Sequence, residues 1–290
     1  MRVTPAATVI LLRPAPGSPE VFLVRRHGNS GFMGGATVFP GGKVDDQDAD
    51  AVSCGRSPAE CAAALEVDCA RTAHASFVAA VRELHEEAHV ILARDRHGQL
   101  PSADAVTHIN AELDSLRDGH RIAAAAVHDL WRSHGLRPAL DLVAPFAWWV
   151  TPVAEPRRFD TRFFVALQPV GQRAAMDGHE TTAERWATAA AAVQAHQQGG
   201  EVYLPPPTLH TLHRIATLPG AAGQVFATLE AQGSGPCILP FYATGTAAGD
   251  VIALPDDPMH PGGQGAPDAR NRFVLRDGRF QRQAAGDDLI

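Results

Sequence analysis

Residues 77–92 read FVAAVRELHEEAHVIL, and the spacing of apolar and acidic residues in this stretch is the clearest structural pattern in the chain. A helix is predicted over about 75–88, because apolar residues recur here three or four positions apart and therefore share one face. That apolar stripe consists of Phe77, Val81, Leu84, Ala88 and Ile91. Such a stripe is typical of a helix that packs one side against a core.

Glu83, Glu86 and Glu87 fall beside the stripe and share a neighbouring helix face. The simpler interpretation is a solvated face, on which Arg82 pairs with Glu86 four residues on. The other interpretation is a site for a divalent cation, which prefers oxygen ligands and would remove the repulsion among the carboxylates. Such a cation can polarise a phosphorus for attack by water, and a spare carboxylate can take the proton from that water.

Composition narrows the class of protein. The chain has 290 residues, of which 45% are hydrophobic and 20% charged, and its formal net charge is −7. This balance is ordinary for a globular protein and disfavours nucleic acid as a partner, whose binding depends on neutralised phosphates. We find no apolar run of membrane-spanning length and no export or targeting signal, so a cytoplasmic protein is expected. The abundance of Ala, Gly and Pro indicates a GC-rich bacterial genome.

The four cysteines are Cys54, Cys61, Cys69 and Cys237. No pair has the close spacing of a structural zinc site, so free thiols are the main expectation and zinc the minor one.

The rest of the chain reads as strands interleaved with helices. A hairpin is predicted from residues 7–13 and 20–26, which flank the turn-forming PAPGSPE. Ser57-Pro58-Ala59-Glu60 predicts a helix start with a capping box. Residues 103–134 predict two further helices that break near Asp118-Gly119. This alternation indicates an α/β or α+β layered fold.

The second half of the chain carries strand patterns and two helix patterns. Strands are predicted over 142–152, 161–169 and 184–188, and Thr188 is expected to cap a helix that ends near Gly199. A further helix is predicted after LPPPTL (204–209), ending at about Leu218. A late hairpin is predicted in RFVLRDGRFQR, residues 272–282, with Asp277-Gly278 as its turn.

A glycine-rich segment that ends in VFPGG (38–42) precedes the acidic helix. Together with RELHEE (82–87), it resembles the Nudix box, written G-x5-E-x7-R-E-U-x-E-E-x-G-U with U a bulky aliphatic residue. Gly42 matches the first glycine. The second half of the box is matched by Arg82, Glu83, Leu84, Glu86, Glu87 and Val90. The sequence is therefore identified as a member of the Nudix hydrolase superfamily.

Three departures from the box stand out. Asp48 occupies the position of the first glutamate, and His89 occupies that of the last glycine, where either the helix exit differs or His89 is left-handed. An insert of 26 residues, about 49–74, also separates Asp48 from Arg82. With the segments EPRRFDTRFFVA (155–166) and LPPPTL (204–209), this split box resembles the long-insert coenzyme A diphosphatases of mitochondria and peroxisomes.

The resemblance implies a Nudix-type α/β/α sandwich around a mixed sheet. It implies Mg²⁺ or Mn²⁺ as cofactor, with Glu86 and Glu87 as main ligands and Glu83 as a further ligand or the base. Arg82 would orient Glu86, and the Gly42 carbonyl could add a ligand. Glu180, six residues before Trp186, would serve in metal binding or water activation. The residues expected to bind the substrate are Arg25, Arg26, Gly41, Arg157 and Arg158.

The expected reaction is hydrolysis of a nucleoside diphosphate linked to another group, preferably coenzyme A or acyl-CoA. Two alternatives stay open: ADP-ribose, dinucleotides or nucleotide sugars as substrates, and a Nudix-fold module that senses a nucleotide without cutting it. We expect a Nudix domain over 1–200 and a C-terminal extension over 201–290 packed on it. For the tail beyond residue 215, a lid, a homodimer element and a stabilising wrap all remain open.

Overall fold

A computed structural model of the chain describes residues 3–28, 33–119, 122–246, 249–263 and 270–284. Residues 30–32 of the glycine-rich segment and the C-terminal GDDLI lie outside the described residues. The strands are β1 (Thr4–Arg13), β2 (Glu20–Arg26), β3 (Thr37–Val38), β4 (Gly41–Lys43), β5 (Ala93–Arg94), β6 (Arg137–Pro138), β7 (Val143–Val150), β8 (Phe159–Leu167), β9 (Thr181–Thr188), β10 (Cys237–Ile238), β11 (Phe241–Thr246), β12 (Gly249–Ala253), β13 (Asn271–Arg276) and β14 (Arg279–Ala284). The helices are α1 (Pro58–Leu65), α2 (Ala70–Ala88), α3 (Ala103–Ser115), α4 (Ala124–Ser133), α5 (Ala189–Gln197), α6 (Pro206–Ala216) and α7 (Ala222–Gln232).

An eight-stranded mixed sheet forms the centre of the fold. Its strands run in the order β10-β7-β8-β1-β2-β3, with β4 also paired to β1 and β9 to β2. The pairs β1–β8 and β10–β7 are parallel, whereas β1–β2, β7–β8 and β2–β9 are antiparallel. The predicted first hairpin, formed by β1 and β2, is confirmed.

Helices cover both faces of this sheet. Val9 and Leu11 of β1 point into a core with α1, α2, α3 and α4, whereas Ile10 and Leu12 point into a second core with α5, α6 and α7. This division follows from the strand period of two, which sends successive side chains to opposite faces. The expected α/β/α sandwich around a mixed sheet is confirmed.

The acidic helix α2 is longer than predicted. It starts at Ala70 rather than near residue 75, because its first turn is half-exposed and carries no apolar stripe to mark it. Its C-terminal cap is His89, which adopts the left-handed conformation with φ 55° and ψ 25°. His89 therefore adopts the left-handed conformation that the expected glycine would have adopted at this helix end. Asn110 Nδ2 donates to the His89 carbonyl at 3.0 Å, and His89 Nε2 lies 3.1 Å from Asp114 Oδ1.

The insert forms a compact layer that leads into α2. It contains the end of a 3-10 helix (Asp46–Asp50), the whole of α1 and the first turn of α2. The predicted capping box of α1 is confirmed, since Ser57 and Glu60 bond reciprocally and Pro58 occupies the first helical position. The four cysteines are free thiols, as expected.

The C-terminal region holds more structure than its sequence pattern indicated. The late hairpin is confirmed: β13 and β14 pair around Asp277 and Gly278, with φ of 50° and 74°. Helix α7 and strands β10 to β12 were not predicted, because glycine and proline interrupt their short patterns. The strands β11 to β14 form a separate antiparallel sheet, and Leu254 and Phe273 join the second core of the central sheet. Within the described ranges, no helix is both long and apolar enough to cross a membrane.

Candidate active site

The acidic face of α2 is buried rather than solvated. Relative exposures are 3% for Arg82, 9% for Glu83, 8% for Glu86 and 6% for Glu87. These side chains line a cavity of about 380 Å³ between α2, β4 and the loop that carries Glu180. We call it the acid cavity. Charged side chains are rarely buried without a partner, so the interpretation of this face as an ordinary solvated one is wrong.

Arg82 is the central partner of the acidic side chains. Its Nε donates to Asp48 Oδ1 at 2.8 Å and its Nη2 to Asp48 Oδ2 at 2.9 Å, a bidentate pair. Its Nη1 donates to one oxygen of Glu83 and one of Glu86, each at 2.8 Å, and its Nη2 also donates to the Lys43 carbonyl. Arg82 thus ties α2 to the segment just before the insert and fixes two carboxylates.

Asp48 and the three glutamates respond differently to burial. Burial acts to raise the pKa of Asp48, but hydrogen bonds from Arg82 and His128 outweigh it and lower that pKa. Burial raises the pKa of Glu83 to about 8, with Arg82 opposing and Glu86 adding to the rise. The pKa of Glu86 is likewise raised by burial, and that of Glu87 rises well above its usual range through burial and repulsion by Glu83. The three buried glutamates therefore favour their protonated forms more than an exposed glutamate does, and a bound cation would oppose that shift.

The two glycines of the loop are required by close approach. A Cβ at Gly42 would lie 2.5 Å from Glu83 Oε2, and a Cβ at Gly41 would lie 2.7 Å from Thr8 Cα. The Gly41 N–H donates to Glu87 Oε2 at 3.0 Å. Glycine at these two positions lets β4 lie directly against the carboxylates. This close approach explains the two glycines better than a requirement for a turn does.

Glu180 reaches the same cavity from a different part of the chain. It lines the acid cavity, and its charge contributes to the raised pKa values of Glu83, Glu86 and Glu87. The buried Asp177 accepts the Glu180 N–H at 3.0 Å and so holds this loop. Arg117 lies 3.3 Å from Asp177 and donates to the Glu86 carbonyl at 2.8 Å. Arg117 and Asp177 were not predicted, since no local motif marks a contact between distant loops.

The arginines expected to bind the substrate fall into two groups. Arg26 and Arg157 line a cavity beside the carboxylates, and the buried Nε of Arg26 has no hydrogen-bond acceptor among the described residues. Arg25 instead lies 3.9 Å from Glu201, and Arg158 donates to the Thr151 carbonyl at 3.0 Å. Alternation along β2 separates Arg25 from Arg26. Arg26 and Arg157 are therefore placed to contact a ligand in this cavity, whereas Arg25 and Arg158 line neither it nor the acid cavity.

The donor set of the acid cavity fits a hard divalent cation. Glu83, Glu86, Glu87 and Glu180 supply carboxylate oxygens, the ligands that Mg²⁺ prefers. Burial, with repulsion from neighbouring carboxylates, raises the pKa values of Glu83, Glu86 and Glu87, and a bound cation would offset both effects. Among the described residues, no three His, Cys, Asp or Glu side chains already converge as ligands. The reason is visible in the contacts: oxygens of Glu83 and Glu86 face Arg82, and one of Glu87 faces the Gly41 N–H. The suitability of the acid cavity for a divalent cation therefore lies in its oxygen donors and its acidic groups.

A larger cavity of about 950 Å³ adjoins the acid cavity, and we call it the apolar cavity. The two share Thr8, Arg26, Gly41, Phe159 and Thr161 in their linings. Much of the remaining lining is aromatic or proline, including Trp149, Tyr203 and Pro205. One continuous site thus combines a charged end with an apolar end.

Comparison with known proteins identifies the class of the chain. The family model of the NUDT19 Nudix domain matches residues 66–215, just over half of the chain. The mixed-sheet sandwich and the glutamate helix beside a glycine loop define the class, a Nudix hydrolase, which is a pyrophosphohydrolase. Within that class, the chain belongs to the family of the NUDT19 Nudix domain.

Relatives show similarity beyond the matched segment. The acyl-coenzyme A diphosphatase NUDT19 of Gallus gallus is 27% identical over 301 residues, covering 88% of this chain and 79% of that protein. The Homo sapiens protein of the same name is 29% identical, covering 70% of this chain but only 62% of its own length. A solved Nudix hydrolase from Alicyclobacillus acidocaldarius is 27% identical, with a TM-score of 0.62, covering 81% of this chain and 99% of that one.

Proposed function

We propose that this protein hydrolyses the diphosphate of coenzyme A or an acyl-CoA by attack of water at phosphorus. The observation that carries the proposal is the continuity of the acid cavity with the apolar cavity through Arg26, Phe159 and Thr161. A diphosphate needs cationic neutralisation, whereas the arm beyond it needs space and apolar contacts. Relatives named acyl-coenzyme A diphosphatase support the choice of substrate.

Each group at the charged end has a role that its position supports. A divalent cation, Mg²⁺ or Mn²⁺, would be held by Glu86 and Glu87 with Glu83, and when bound it neutralises diphosphate charge and polarises the phosphorus. Arg82 fixes Glu83 and Glu86 through its Nη1. Glu180 or Glu83 accepts the proton of the attacking water, because both line the cavity and neither belongs to the apolar end. Arg26, which lines both cavities, donates a hydrogen bond to a phosphate oxygen at the place where the two cavities meet.

The products follow from the bond that breaks. Water adds to one phosphorus, the bridging oxygen leaves with the other, and two phosphomonoesters result. For coenzyme A these are 3′,5′-ADP and 4′-phosphopantetheine. The proton released from water passes to the accepting carboxylate, which later returns it to solvent.

A substrate panel tests the proposal. Coenzyme A, acyl-CoA, ADP-ribose, a dinucleotide and a nucleotide sugar are incubated with Mg²⁺, with Mn²⁺ and with a chelator, and products are identified by mass. We expect metal-dependent release of 3′,5′-ADP from coenzyme A compounds. Preferential cleavage of ADP-ribose would instead support the second substrate class, and binding without cleavage of any diphosphate would support a sensor.

A further inference from the structure

The outer wall of the apolar cavity comes from the C-terminal sheet. Tyr242 of β11, Ile252 of β12, Leu275 of β13 and Phe280 of β14 all contribute to its lining. Each of these side chains is half-buried. The family match ends at residue 215, so this wall lies outside the segment that defines the family.

Strand register explains why these four side chains act together. Tyr242 pairs with Ile252, Ile252 with Phe273, and Leu275 with Phe280. Cross-strand partners and residues two apart share a face, so these positions form one side of the sheet. Phe273 on that side is buried in the second core, which orients the side toward the main domain. The other side buries Val251, Ala253 and Val274 in a small cluster of their own.

Hydrogen bonds hold the wall in place. Arg279 of β14 donates to the Val202 carbonyl at 2.6 Å and also to the Gly200 carbonyl. His196 of α5 donates its Nε2–H to the Phe280 carbonyl at 2.8 Å, while its Nδ1 accepts the Leu204 N–H at 3.0 Å. The hairpin of β13 and β14 is thus fixed to the segment that supplies Tyr203 and Pro205 to the same cavity.

The chemistry of this wall selects its occupant. Ile252, Leu275 and Phe280 carry no polar side-chain atom, and the Tyr242 hydroxyl is 3.1 Å from Asp250 Oδ2. A wall of this kind favours an aliphatic chain over a nucleobase, whose polar edge would need hydrogen-bond partners. A volume of about 950 Å³ is at the upper end of the size of small-molecule sites, which leaves room for a long group.

We infer that the C-terminal sheet is the specificity element for the acyl group of an acyl-CoA, with Tyr242 and Leu275 as specificity-determining residues. The inference rests on the proposed function and adds a role for the strands β11 to β14. The acyl chain lies against β11 to β14 while the diphosphate lies at the acid cavity. Each further buried methylene is then worth about a fourfold gain in kcat/KM until the cavity is filled.

The experiment measures kcat/KM for coenzyme A, for acetyl-, octanoyl- and palmitoyl-CoA, and for ADP-ribose. The variants are Tyr242→Ala, which removes wall surface, and Leu275→Trp, which fills the cavity. Phe241→Ala is the matched control, because Phe241 precedes Tyr242 in the same strand, is 40% exposed and does not belong to the cavity lining. Thermal unfolding of each variant shows whether it folds.

We expect wild type to prefer the longer acyl chains. Both cavity variants should lose about tenfold in kcat/KM for octanoyl- and palmitoyl-CoA but less than twofold for coenzyme A and acetyl-CoA, and Phe241→Ala should match wild type. Indifference of wild type to chain length, or an equal loss on every substrate, would overturn the inference while the proposed function stands. Absence of cleavage of all coenzyme A compounds would overturn both. If one of the two cavity variants fails to fold, the kcat/KM values of the other variant test the inference.

Discussion

The acid cavity and the apolar cavity adjoin, yet opposite interactions maintain them. In the acid cavity, Arg82 makes five polar contacts, to Asp48, Glu83, Glu86 and the Lys43 carbonyl. In the apolar cavity, large side chains such as Tyr242 and Leu275 face open space. A rigid polar network suits chemistry that is the same for every diphosphate, whereas an unfilled apolar wall suits selection among attached groups. Mutations in the two cavities should therefore have different substrate dependence.

The largest effect is expected from Glu86→Gln. This change removes a charge from the acid cavity but keeps the shape of the side chain, so turnover should fall by about a thousandfold or more on every substrate. Steady-state kinetics with Mg²⁺ measure the loss, and circular dichroism checks the fold. Glu66→Gln, at the exposed end of α1, is the matched control and should retain wild-type activity. Near wild-type hydrolysis by Glu86→Gln would refute the assignment of this cavity.

Asp48→Asn should have the next largest effect. The amide cannot neutralise Arg82, so Arg82 is expected to hold Glu83 and Glu86 less firmly. Loss of such a supporting partner typically costs about 10–100-fold in activity. The decrease in kcat should be equal for coenzyme A and palmitoyl-CoA, because Asp48 does not belong to the apolar lining. A larger decrease in kcat for palmitoyl-CoA than for coenzyme A would contradict the separate roles of the two cavities.

Arg26→Lys tests the junction of the two cavities. A lysine keeps the positive charge but lacks the planar, bidentate donor geometry, so kcat/KM should fall about tenfold for all diphosphates, mainly through KM. Arg25→Lys, one residue earlier and outside both linings, is the matched control and should change kcat/KM less than twofold. Equal effects at both positions would mean that Arg26 does not contact phosphate.

The smallest expected effect is a pH dependence of stability that arises from the buried His85 of α2. His85 accepts the Trp131 indole N–H at Nδ1, 3.0 Å away, and faces Asn110 Oδ1 through Nε2, an arrangement that requires the neutral ring. Burial lowers the pKa of His85 to about 3. Since the folded pKa lies below the unfolded value near 6.5, this contribution to stability is complete above pH 6.5 and is lost as pH falls toward 3.

Urea unfolding of wild type and His85→Gln at pH 7, 6 and 5 measures this contribution. The wild-type free energy of unfolding should fall relative to the variant by up to about 1.4 kcal/mol per pH unit below 6.5. Taking the difference removes the opposing contribution of Glu83, whose pKa is raised. A constant difference across these pH values would show that His85 does not remain neutral in the folded protein.

The framework of the fold and the chemical character of the acid cavity could be predicted from the sequence alone. The apolar stripe of α2, the Ser57 capping box and the Asp277-Gly278 turn are local patterns, and each produced the predicted element. The split box around Gly42 and Arg82 identified the superfamily, because the residue pattern on each side of the insert belongs to one loop or to one helix. Such features are readable because every interaction involved lies within a few residues, or within one recognised motif.

Contacts between side chains from distant segments could not be predicted from the sequence and follow from the tertiary structure. Burial of the α2 carboxylates, the Arg117–Asp177 contact behind Glu180 and the separation of Arg25 from Arg26 depend on packing between distant segments. The same holds for β11 to β14, whose short glycine-interrupted strands gain their order from pairing and from Arg279. Long-range contacts leave no periodic trace in a single sequence, since their energy arises only when separate elements pack together.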